Sequence, residues 1–88
     1  MHWAAKRNKF TIIPLLISKG ANVNSEDISG RTALHIAAFA NHLECVKILL
    51  YELADPFKRN KDGKLAFDLT NDYKCKFYLS RARIVRIK

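Results

Sequence analysis

The chain has 88 residues, 49% of them apolar, and a formal net charge of +8. That length holds one domain at most, near the size where a single core is marginal, and the apolar content excludes a disordered tail. No apolar run reaches membrane-spanning length, no stretch reads as a signal peptide, and Cys45 and Cys75 have neither disulfide nor metal-ligand spacing.

The cysteine usage predicts a reducing, intracellular setting, cytoplasmic or nuclear. Charge is uneven: residues 1–55 carry six Lys/Arg against five Asp/Glu, whereas residues 56–88 carry ten against three. Such a basic end attracts acidic proteins, nucleic acid or anionic lipid without choosing among them.

The opening text, "MHWAAKRNKFTIIPLLI", returns as "LHIAAFANHLECVKILL" at residues 34–50. An offset of 33 pairs His2 with His35, Ala4 and Ala5 with Ala37 and Ala38, Asn8 with Asn41, Leu16 with Leu49, Ala21 with Ala54, and Gly30 with Gly63. Each copy reads as two short helices followed by an extended, hairpin-like turn. Residues 1–26 form a first copy without its opening turn, 27–59 a full copy, and 60–88 a degenerate C-terminal cap with a basic tail. In the second copy Thr32 is the expected N-cap of a helix over residues 33–39, and small Ala37 and Ala38 allow a neighbouring helix to approach closely. Asn41, tolerant of a left-handed backbone, breaks the chain before a helix over residues 43–52 with Leu43, Val46, Leu49 and Leu50 on one face. Gly, Asn and Asp cluster in the turns "ANVNSEDISGR" and "ADPFKRNKDGK". A helix pair this small cannot bury its apolar face alone, so the copies must stack into an all-α solenoid.

The period and the wording "GRTALHIAAFANHLECVKILL" resemble the ankyrin repeat. Asp27, Gly30, Thr32, Leu34 and His35 match its opening; Asn41, His42, Leu43 and Glu44 match its link; Gly20, Ala21, Asn22 and Asn24 match its close. The resemblance covers residues 1 to about 69. Ala33 stands where the family has Pro. Leu53 stands where it has a left-handed Gly, so the link to Ala54 is expected to be rebuilt locally. Leu65 and Asp68 replace Thr and His in the third copy. Met1 falls in the column of Leu34, which predicts a piece of a longer protein whose N-terminal face is open, apolar and prone to pairing.

The resemblance implies a non-catalytic module that binds a protein partner along a concave strip, and the basic charge balance predicts that this partner is acidic. Carried over, that strip comprises Lys6, Arg7, Ile28, Ser29, Arg31, Phe39, Ala40, Arg59, Lys61, Asp62, Lys64, Asp72 and Tyr73. Phe39 is either an exposed interface anchor or a side chain packed over a neighbouring helix. Trp3, sharing a column with Ile36 and Leu69, is expected in the core, unless the missing start of the first copy leaves it exposed. The resemblance assigns His2, His35 and His42 to structural hydrogen bonds. Cys45 reads as a buried small hydrophobe; Cys75 has Lys74 and Lys76 beside it and would react only in an accessible site. No catalytic set, cofactor loop or metal spacing appears.

The tail "SRARIVRIK" is expected to be a closing helix with solvated cations, and Lys58, Arg59, Lys61 and Lys64 a solvated positive fingertip. An alternative has residues 58–88 gripping anionic lipid or nucleic acid. A third, from the "HWA" opening, likens the parent to acyl-CoA-binding proteins or protein palmitoyltransferases with ankyrin repeats.

Overall fold

In the computed structural model the backbone is described for residues 1–86 and the side chains through Ala82. The helices are α1 (His2–Lys6), α2 (Ile13–Ser18), α3 (Ala33–Phe39), α4 (Leu43–Tyr51), α5 (Ala66–Leu69) and α6 (Tyr73–Arg86). There is no strand among the described residues, and no helix is long and apolar enough to cross a membrane.

Local chemistry sets the helix ends. Thr32 sits in extended conformation before α3, and its hydroxyl accepts from the backbone N–H of His35 at 3.4 Å. His35 reciprocates, its Nδ1 accepting from the Thr32 N–H at 3.1 Å, so two otherwise orphaned donors are satisfied. At the other end Asn41 takes φ 59°, with His42 N–H donating to the Ala37 carbonyl (2.9 Å) and Asn41 N–H to Ala38 (3.1 Å). This left-handed stop recurs 33 residues earlier at Asn8, φ 56°.

The outer helices α2 and α4 end the same way, at Gly20 (φ 96°) and at Leu53 (φ 69°). The expected rebuilding at Leu53 does not occur. Leu53 N–H donates to Leu50 at 3.1 Å and Ala54 N–H to Leu49 at 2.9 Å, as Gly20 and Ala21 do to Ile17 and Leu16. Keeping this stop closes two helix carbonyls and buries Ala54 fully. That outweighs the roughly 1–2 kcal/mol a leucine loses in the left-handed region.

Helices α1, α3 and α5 lie side by side as an inner layer; α4 packs against α3 and between α2 and α6, which complete an outer layer. Ala4, Ala5, Ala33, Ala37, Ala38 and Ala66 let the inner helices approach closely, while Ile13, Leu34, Val46, Leu49 and Leu79 fill the space between layers. Helix α5 has only four residues, ending in extended Thr70 rather than a left-handed stop. Asp72 then caps α6, its carboxylate accepting from the Lys74 N–H at 3.3 Å. The third unit thus has the shortest inner helix among the described residues.

The turns project from the inner layer as two hydrogen-bonded tips. In the first, Asp27 accepts from the N–H groups of Ser29 and Arg31, both at 2.9 Å; in the second, Asn60 does the same for Asp62 and Lys64. Lys61 N–H donates to the Ser29 carbonyl at 3.0 Å, stitching tip to tip. That contact needs Gly30: its φ is 73°, and a Cβ there would lie 3.1 Å from the Lys61 nitrogen.

Candidate partner-binding groove

Buried His35 organises the inner face. Its Nδ1 accepts from the Thr32 backbone, so Nε2 carries the proton and donates to the Lys64 carbonyl of the second tip at 3.0 Å. His2 makes the equivalent bond one repeat earlier, Nε2 to the Arg31 carbonyl at 2.8 Å. His42 Nδ1 donates to the Ala5 carbonyl at 2.9 Å, tying α4 to α1. All three imidazoles thus join backbones between repeats, the structural role that the resemblance assigned. Burial pushes the His35 pKa below the usual 6.5.

Between α3 and the tips lies a groove of about 550 Å³ lined by Lys6, Arg31, His35, Ile36, Phe39, Ala40, His42, Asn60 and Leu69. Phe39 is 72% exposed, so the reading in which it packs over a neighbouring helix is set aside. Arg31 is held by Asp27, Nε to Oδ2 at 2.9 Å. The Asp27 carboxyl stays below its usual pKa, chiefly because it accepts the Arg31 backbone N–H.

Of the residues chosen from sequence, Lys6, Arg31, Phe39 and Ala40 meet in this groove. Arg7 is exposed just after α1, and Ile28 and Ser29 stand exposed on the first tip. Arg59, Lys61, Asp62 and Lys64 are exposed on the second, Arg59 donating to the Gly63 carbonyl at 2.9 Å. Asp72 is half-buried as the α6 cap. Tyr73 lines a different groove, on the outer layer, with Leu43, Lys47, Lys74, Phe77 and Tyr78.

Sequence reasoning missed Ile36 and Leu69 as groove residues because their column was read as core. In the same column Trp3 is 55% exposed, so its core reading gives way to the exposed alternative. The repeat fixes which residues share a column; the column is covered only where another helix lies over it. Nor is the fingertip merely solvated: Lys58 forms an ion pair with Glu26, which raises its pKa. The apolar residues of the tail, Ile84, Val85 and Ile87, lie outside the residues whose side chains are described.

Cys45 is fully buried, and burial pushes its thiol up to about 11. Cys75 is also fully buried, and burial pushes its thiol up to about 11, with Sγ donating to Asp72 at 3.4 Å; it does not occupy the accessible site that reaction would need, despite the flanking lysines. Among the described residues no group of three or more His, Cys, Asp or Glu is placed to hold a metal ion.

A family model described as ankyrin repeats (3 copies) matches residues 1–67. The chain is 38% identical over 72 residues to the mouse protein phosphatase 1 regulatory subunit 12A, covering 82% of the chain and 7% of that protein. It is 39% identical over 54 residues to human ankyrin repeat domain-containing protein 29, covering 60% of the chain and 18% of that protein. It is 33% identical over 84 residues to rat oxysterol-binding protein-related protein 1, covering 93% of the chain and 9% of that protein. The chain therefore spans less than a fifth of the length of each of these relatives. The 33-residue register, the histidine clips between tips and the family match over residues 1–67 agree: the chain belongs to the ankyrin repeat family.

Proposed function

We propose that this chain is a recognition module, without catalysis of its own, that seats an acidic, apolar-anchored segment of a partner protein in the inner groove. Ankyrin repeats generally serve protein–protein interaction, and the observation that carries the present reading is Phe39, 72% exposed beside a groove flanked by Lys6 and Arg31. A large aromatic beside exposed Lys6 and Asp27-paired Arg31 supports an anchor that is buried on binding, with charge steering the encounter. The tips Ile28–Ser29 and Arg59–Lys64 extend the same face.

The relatives are several times longer, which supports a role as one part of a longer polypeptide. Their named activities reside in proteins of which this chain matches 7–18%, so the shared part supports recognition rather than those activities. The readings of the parent as an acyl-CoA-binding protein or a palmitoyltransferase gain no support from the groove. Two buried thiols fit a reducing intracellular setting.

The test is selection of displayed peptides on the folded chain. Peptides pairing acidic residues with one large apolar side chain should be enriched, and Phe39→Ala should weaken a selected peptide about 30-fold, the scale of an interface anchor. Arg31→Ala should slow association, more so at low salt. Enrichment of peptides whose affinity ignores both substitutions would remove the groove from the reading.

A further inference from the structure

The outer layer carries a second groove, of about 460 Å³, between α4 and α6, lined by Leu43, Lys47, Tyr73, Lys74, Phe77 and Tyr78. Three of the six lining residues are aromatic. Tyr73 is 74% and Phe77 55% exposed. Tyr78 is half-buried, set edge-on to Phe77 with ring centroids 5.4 Å apart, and Lys47 Nζ lies 5.5 Å from its ring centre. Lys47 also faces Glu44 at 3.8 Å, so its charge is partly met. Lys74 is exposed, and exposed Arg81 lies two turns further along the same helix. Helix α6, "YKCKFYLSRARIVR", contains no carboxylate.

We propose that this outer groove binds single-stranded nucleic acid, with Tyr73 and Phe77 as platforms for bases and Lys74, Arg81 and Lys47 as phosphate contacts. An open ring beside an ammonium group matches a nucleotide, base on ring and phosphate on cation. One helical turn separates Tyr73 from Phe77, a rise of about 6 Å, against a stacked-base thickness of about 3.4 Å, so each ring can take its own base. The remaining lining favours this occupant over others. Leu43 is the one aliphatic side chain present, which gives an amphipathic partner helix little to fill, and a planar bilayer does not follow a concave seam between two helices. The chain's high isoelectric point, about 9.8, supplies the long-range attraction. None of the lining residues belongs to the inner groove, so the two readings stand or fall separately.

The experiment is fluorescence anisotropy of a labelled 12-nucleotide oligouridylate with the full chain. Binding should saturate and fall with salt at a log–log slope of about −2, from about three phosphate contacts. Phe77→Ala and Tyr73→Ala should each weaken it about tenfold, as loss of one stacked base does. Lys74→Ala should lower the slope, whereas Tyr51→Ala, removing an exposed aromatic elsewhere, should change nothing. Helical circular dichroism confirms that each variant remains folded. Equal binding of duplex RNA, or oligouridylate binding that ignores both ring substitutions, would reduce the effect to bulk charge and overturn the proposal. So would absence of saturable oligouridylate binding, whether or not the groove captures an acidic helical peptide or phosphatidylserine vesicles instead.

Discussion

His35 is a clip with two arms, and the two can be cut separately. One arm is the cap, Nδ1 accepting from the Thr32 N–H at 3.1 Å and lying 2.9 Å from the Thr32 hydroxyl; the other is Nε2–H donating to the Lys64 carbonyl at 3.0 Å. Replacing His35 with Ala strands the N–H of buried Thr32, at about 1–3 kcal/mol, and removes the bond to Lys64, about 1 kcal/mol net. The vacated ring space adds a packing loss, so the total comes to about 3–4 kcal/mol. For a domain of this size that is roughly 12–30 °C in melting temperature. His35→Asn keeps an acceptor for the cap and loses the second arm, so about 1–1.5 kcal/mol is expected. The third unit already shows the one-armed version, with Asp68 accepting from the Leu65 N–H at 3.0 Å. Urea unfolding followed by circular dichroism reads both variants against His2→Ala, which removes a single bond to the Arg31 carbonyl.

The same histidine sets a pH dependence. Burial lowers its folded pKa below the ordinary 6.5, so the unfolded chain binds the additional proton as pH falls. Its stabilising contribution is full above about pH 6.5 and is lost on acidification below that value. Wild type should lose stability faster than His35→Asn in this range. If His35→Ala costs under 1 kcal/mol, or the wild-type and Asn profiles run parallel through pH 6, the two-armed account is wrong.

Other substitutions test the turns, the left-handed stop and the thiols. Gly30→Ala should destabilise by about 2–3 kcal/mol and Gly63→Ala by about 1–2, because both take positive φ but only Gly30 also faces the Lys61 nitrogen; equal losses would remove the close approach from the argument. Leu53→Gly should raise the unfolding free energy by about 0.5 kcal/mol, read from urea unfolding, since relief of backbone strain slightly exceeds the added chain entropy and the leucine side chain is largely exposed. A loss above 1 kcal/mol there would mean that the side chain packs against something. Cys45 and Cys75 should resist iodoacetamide at pH 7.5 in the folded chain and react once urea unfolds it, as their raised thiol pKa values and burial require; prompt labelling of either would contradict the buried geometry.

Periodicity in the text made much of this molecule readable before any coordinates. Thr32 as cap and Asn41 as left-handed stop followed from residue type, and the spacing of 33 put His2 and His35 in equivalent sites, while their role as clips came from the family resemblance. These are short-range effects, decided within a few residues or by the identical neighbour one repeat away. Exposure is different. Trp3, Ile36 and Leu69 share one column, yet Trp3 stands open while the others form part of the inner groove, because cover depends on which helix lies alongside. Tyr73 faces the outer groove because α6 starts only after the extended segment that ends the short α5. Leu53 kept its strained backbone because Ala54 behind it is buried, and Lys58 found Glu26 across the loop between repeats. Each of these outcomes balances a local preference against contacts made by distant segments, and only the packed arrangement sets that balance.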